Sequence, residues 1–184
     1  MVLRGNSGSG KSTIAEALRR HHGPPMAIIG QDNIRRKVLK EKDVPGGTNI
    51  SMISLMARHA LDSGYHVVIE GILAAERYGA MLTGLAADHR GTTRLFYLDV
   101  PLVETLRRHG TRPQAAEFGE AEMRSWYLHR DLLPHGVEQI IDEHSTLEDS
   151  VQTITRTTRL SPDADQCGKG PTNVDNRADA GRTA

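Results

Sequence analysis

Gly5-Asn6-Ser7-Gly8-Ser9-Gly10-Lys11-Ser12 fits the pattern G-x-x-x-x-G-K-[ST] in full. Glycines in such a run permit the positive-φ turns that aim successive backbone N–H groups at phosphate oxygens. A helix beginning near Lys11 would add the partial positive charge of its amino terminus. Lys11 would then reach the outer phosphates of a nucleoside triphosphate, and the Ser12 hydroxyl would ligate Mg²⁺. Asn6, Ser7, Ser9 and Thr13, with the glycines, complete the expected nucleotide-binding set.

A loop that holds phosphate does not say where the phosphoryl group goes, and the acidic residues bear on that. Asp32 follows an apolar run ending at Gly30, within Gln31-Asp32-Asn33-Ile34-Arg35-Arg36. The carboxyl ends of parallel strands are where open α/β folds place their ligands, so Asp32 is a candidate base for an acceptor hydroxyl. Arg35, three residues on, would share its helix face and could hold the acceptor or the phosphoryl group in transfer. The alternative for Asp32 is a helix N-cap.

Glu70 ends Val67-Val68-Ile69 and could hold the Mg²⁺ shell through water or bind the acceptor, against the alternative of a strand-end acid bonded to loop amides. Asp99 precedes Val100-Pro101 and is accounted for as a cap. Arg107-Arg108-His109-Gly110-Thr111-Arg112-Pro113 has the makings of a lid over 107–119. Arg107 and Arg112 are the candidates there for neutralising phosphoryl charge, against a solvated basic helix end. Arg108 is explained by Glu104 four residues earlier.

These residues must be positioned by alternating elements. Short β-rich runs at 1–4, 26–30, 66–69, 94–98 and 137–141 alternate with helical spacing at 11–21, 33–40, 49–63, 75–88, 101–109, 120–130 and 146–157. That pattern predicts βα units on a parallel sheet. Ser145 with Glu148 offers a capping box for the last helix. The first run is shorter than the usual five or six residues, so either the start lies upstream or the edge of this strand is weak. His129-Arg130-Asp131-Leu132 imitates a protein-kinase catalytic loop, but Gly136 stands where that loop has asparagine. Trp126 and Tyr127 are expected to pack on the sheet.

At 184 residues the chain suits one domain, 1–160, and a tail, 161–184, whose Gly/Asp/Asn/Thr/Pro composition predicts disorder. Zero formal net charge argues against nucleic acid as a partner. The single cysteine, Cys167, excludes a disulfide framework and suits a cytoplasmic protein. The absence of a long apolar run argues against a membrane span.

The phosphate loop, the Gln-Asp-Asn-Ile-Arg-Arg junction, the Ile-Glu-Gly strand end and Thr105-Leu106-Arg107-Arg108-His109-Gly110-Thr111-Arg112-Pro113 together resemble the small P-loop kinases of the AAA_33, zeta-toxin-like and chloramphenicol-phosphotransferase-like group. The resemblance implies a three-layer α/β sandwich with five parallel strands in 2-3-1-4-5 order, helices on both faces and a lid. It further implies Asp32 as base, Arg35 beside it, and Arg107 and Arg112 as lid arginines. The expected activity is transfer of the γ-phosphoryl group of ATP, with Mg²⁺, to a hydroxyl of a small molecule such as a nucleoside, antibiotic or sugar, by a monomer or homodimer. A nucleotide-driven ATPase switch and a polynucleotide 5′-hydroxyl kinase are the alternatives.

Overall fold

Side chains alternate across a strand, so an unbroken apolar run such as Val67-Val68-Ile69 persists only where both faces of a sheet are covered. The computed structural model describes residues 1–111 and 118–160. Five short strands form one parallel sheet: β1 (Val2–Gly5), β2 (Met26–Gly30), β3 (His66–Gly71), β4 (Leu95–Asp99) and β5 (Glu138–Asp142). Their spatial order is β2-β3-β1-β4-β5, as expected.

On one face Val2, Val67, Ile69 and Leu95 join Ile53, Ala57 and Leu82. The helices there are α2 (Thr48–Asp62) and α3 (Ala75–Asp88). On the other face Leu3, Val68, Phe96 and Leu98 join Ile14, Leu18 and Ile154 from α1 (Lys11–His22) and α6 (Leu147–Thr158). Neighbouring residues of one strand thus serve opposite cores, which makes the architecture a three-layer sandwich.

The register aligns the strand ends that build the site. Glu70 pairs with Gly30 on one side and Leu3 on the other, and Gly5 pairs with Leu98. Beyond the carboxyl edge lie a π-helix (Asn33–Leu39), α4 (Leu102–His109) and α5 (Glu120–Trp126). No helix among the described residues is long and apolar enough to cross a membrane.

Several local expectations shift. α5 stops at Trp126 rather than running to 130, because the backbone of Leu128 is claimed by the Asn6 side chain instead of by helical partners. The capping box of α6 is built by Thr146 and Asp149, one residue after the expected pair. Asp99 caps nothing: α4 begins at Leu102 with Pro101 in the N-cap position and no side-chain cap, and Asp99 Oδ2 lies 3.4 Å from Arg130 Nε. The tail, 161–184, lies outside the described residues.

Candidate active site

The loop between β1 and α1 turns through positive φ at Gly5, Gly8 and Gly10. Gly8 is constrained twice, since a Cβ there would also stand 2.6 Å from the Thr105 carbonyl oxygen. The first residue of α1 is Lys11, only 7% exposed, whose Nζ donates to Asn6 O at 2.8 Å and Ser9 Oγ at 3.2 Å. Its ammonium is therefore held across the concave side of the loop, where phosphate oxygens would meet it.

Ser12 Oγ donates to Glu70 Oε2 at 3.0 Å. Glu70 lies within β3 and depends on Gly30 in the neighbouring strand, where a Cβ would come within 2.8 Å of Glu70 Oε1. Burial raises the pKa of Glu70, while Lys11 and the Ser12 hydroxyl pull it back. A hydroxyl and a carboxylate side by side at the mouth of a phosphate loop are hard oxygen donors. They suit a magnesium ion that takes its remaining ligands from phosphate and water.

Asp32 lines the same cleft, of about 350 Å³, together with Lys11, Ser12 and Glu70. It provides no side-chain cap to the π-helix. Its Oδ1 instead meets Arg35 Nη2 at 2.9 Å and Arg36 Nε at 3.2 Å, and the side chain is 63% exposed. Behind this junction, Gln31 accepts from Leu73 N and donates to the Tyr78 hydroxyl, which lies 2.6 Å from Asp43 Oδ1 and 2.7 Å from Asn49 Oδ1. This buried network ties the end of β2 to the starts of α2 and α3, fixing the platform that carries Asp32.

The two arginines at the end of α4 differ in reach. Arg107 and Arg108 both pair with Glu104, but Arg107 is 69% exposed and is not among the residues lining the cleft. Arg108 also donates to Ser9 O at 3.3 Å and Glu143 O at 3.1 Å, joining α4 to the phosphate loop and to the turn after β5. Spacing alone showed the Glu104 pair but not the reach of the second arginine. Arg112 lies outside the described residues.

Trp126 does not pack on the sheet. Its ring lies 5.1 Å from that of Phe118, and the Arg36 guanidinium sits 5.4 Å from Trp126 and 5.8 Å from Phe118. His109 stacks on Phe118 at 4.6 Å, and both line the cleft. The reason is local: Met123, the buried residue of α5, packs near Gly8, which orients the helix toward the loop rather than the sheet.

The Asn6 side chain is engaged away from the loop. Its Nδ2 donates to Leu128 O and its Oδ1 accepts from Leu128 N, both at 2.8 Å, so its amide faces the segment after α5. Beneath it, Arg4 is wholly buried, donating to Leu73 O at 2.9 Å, Glu138 at 2.7 Å and Asp131 at 2.9 Å. Asp131 also accepts from Ala75 N. A charged residue inside an apolar β-run was the one available signal of this cluster. The two acids that answer it stand more than a hundred residues away.

A larger cavity, about 440 Å³, opens at the amino-terminal edge of the sheet between Leu61, Leu82 and Leu85. It contains no carboxylate among its lining residues and none of the phosphate loop. Lys11, Ser12, Asp32 and Glu70 line the cleft at the opposite edge.

A phosphate loop between β1 and α1 of a parallel sheet in this strand order defines a P-loop nucleotide-binding protein. The chain belongs to the AAA_33 family of AAA domains, whose model matches residues 1–131. Among curated proteins no sequence match was found. Solved structures share the fold. The Mycobacterium tuberculosis APS kinase CysC, in complex with AMPPNP and APS, superposes with a TM-score of 0.61 at 18% identity, covering 86% of this chain and 96% of that one. A gluconokinase from Sinorhizobium meliloti 1021 gives 0.55 at 18% identity over 86% and 92%. The Deinococcus radiodurans tunicamycin resistance protein gives 0.61 at 15% identity over 88% and 95%.

Proposed function

We propose that this protein is an ATP-dependent kinase that transfers the γ-phosphoryl group to a hydroxyl of a small molecule. The observation that carries this is one cleft lined at once by Lys11, Ser12, Glu70 and Asp32. Phosphate binding, metal ligation and proton acceptance are thus offered within one space. The named neighbours support it, since one was solved with AMPPNP and APS and another is a gluconokinase.

In the proposed reaction the loop amides and Lys11 hold the triphosphate and offset the charge that develops on the departing β-phosphate oxygen. Magnesium, held by Ser12 and Glu70, supplies further charge neutralisation when bound. Asp32 takes the proton of the acceptor hydroxyl as its oxygen bonds to the γ-phosphorus and the bond to the β–γ bridging oxygen breaks, releasing ADP. Arg35 and Arg36 fix the Asp32 carboxylate through Oδ1. The base of the nucleotide is assigned to a second cavity of about 180 Å³ on the far side of the loop, between Thr13, Val100, Arg108 and Leu147.

The test is transfer of ³²P from γ-labelled ATP to a panel of sugars, sugar acids, nucleosides, hydroxylated antibiotics and a 5′-hydroxyl oligonucleotide, with an acceptor-free control. Label on a small acceptor, lost in Lys11→Ala, is the expected result. Equal phosphate release in every tube would instead identify an ATPase.

A further inference from the structure

Once Lys11, Ser12 and Glu70 are committed to nucleotide and metal, the cleft retains Asp32, Arg36, Lys37 and Phe118 among its walls. Two of these are cations that the nucleotide and metal do not engage: Arg36, which spends only Nε on Asp32, and Lys37, which is exposed. Arg36 touches Asp32 Oδ1 through Nε at 3.2 Å, and that oxygen is already shared with Arg35. Among the described residues, the terminal nitrogens of Arg36 make no hydrogen bond, and Lys37 has neither a hydrogen bond nor an ion pair.

The Arg36 guanidinium is nonetheless held in place, 5.4 Å from the ring of Trp126 and 5.8 Å from that of Phe118, with 38% of the side chain exposed. A guanidinium restrained by rings, with its fork of donors unspent, loses little freedom on capturing an anion. Phe118 itself is engaged by His109, Trp126 and Arg36, so it has little ring surface left for a planar base. The cleft is therefore better equipped for charge than for stacking.

Resting on the phosphotransfer assignment above, we propose that the acceptor carries an anionic group, a carboxylate, phosphate or sulfate, close to the hydroxyl that is phosphorylated. Arg36 and Lys37 form its receptor. Asp32 and these cations lie within one turn of the π-helix, so the hydroxyl would meet the carboxylate while the anion meets the guanidinium.

Trp126 is the only tryptophan of the chain, which makes its emission a reporter of what Arg36 engages. The experiment titrates matched pairs, D-gluconate against D-glucitol and D-glycerate against glycerol, and inorganic sulfate, into the protein saturated with Mg²⁺ and AMPPNP. A saturable change is expected with at least one anion and none with its neutral counterpart at tenfold higher concentration. Arg36→Gln and Lys37→Gln should each weaken that response by about 10-fold to 100-fold, the range of a lost charge-assisted hydrogen bond, and leave the KM for ATP within about twofold. Lys37→Gln should melt with the parent, and Arg36→Gln, which gives up one exposed ion pair and two ring contacts, within a few degrees of it.

A neutral member binding as well as its anion would overturn the proposal. So would silence from every anion, sulfate included, or variants that raise the KM for ATP, which would assign these cations to the nucleotide. The parallel transfer assay keeps the two assignments separable. An anion response abolished in Arg36→Gln, with no label transferred to any acceptor, would sink the kinase assignment and leave the receptor standing.

Discussion

Replacing Asn6 by alanine removes both bonds that hold the backbone of Leu128 against the phosphate loop, each 2.8 Å long. The Asn6 side chain belongs to a residue 4% exposed, and Leu128 is partly buried, so water cannot freely replace the lost partners. Two neutral hydrogen bonds contribute about 1–3 kcal/mol net. Taking about 2 kcal/mol, a chain of this length should lose on the order of 4–8 °C of melting temperature. The functional consequence is sharper. Leu128 follows α5, which carries Met123 over Gly8 and Trp126 against Arg36, so freeing it loosens the cover over the cleft. A looser cover admits water to the γ-phosphate. The ratio of acceptor-free ATP hydrolysis to phosphoryl transfer should rise about tenfold, the factor corresponding to 1.4 kcal/mol. Asn6→Asp, which keeps the acceptor for Leu128 N and loses the donor to Leu128 O, should fall between. Calorimetry and γ-labelled ATP turnover, with and without acceptor, measure both effects. An alanine variant with unchanged melting temperature and an unchanged ratio would refute the clamp.

Asp32→Asn should retain nucleotide affinity while transfer falls by about 10² to 10⁴, the range of a lost general base; wild-type transfer would reduce Asp32 to an anchor for Arg35 and Arg36. Arg4→Met strands Glu138 and Asp131 without their guanidinium and should cost about 3–5 kcal/mol, with Glu138→Gln in the same chain recovering part of it; a neutral outcome in a melting experiment would show that the pair is not needed. Arg107 and Arg108 hold the Glu104 carboxyl down to about 2 from an ordinary value of 4.5. A depressed carboxylate contributes stability above its unfolded pKa, and that contribution fades as pH falls from about 4.5 toward 2. Glu104→Gln should therefore flatten the acid limb of the stability profile in that window, and an identical slope in both proteins would contradict the assignment.

Local chemistry determined much of this protein before any tertiary contact. The phosphate loop is contiguous, and its glycines, lysine and serine act through backbone geometry and a helix terminus that eight residues in a row can specify. The alternation of short apolar runs with helical spacing likewise determined a parallel sheet, and the resemblance supplied the helices on both faces and the strand order found. The positions of Asp32 and Glu70 at strand ends followed from the same periodicity.

What spacing could not reach depends on groups far apart in the chain. Arg107 and Arg108, three and four residues after Glu104, both pair with it, and only the packing of α4 against the loop directs the second to Ser9 O. Asn6 reads as one more polar loop residue until Leu128, 122 residues later, arrives to take its amide. Arg4 reads as an oddity in a strand until Asp131 and Glu138 close around it. In each case the deciding term is a buried or half-buried polar group that must find a partner, and the partner is set by how the layers close. Sequence reports the type and spacing of such groups. The tertiary structure alone decides which of them meet.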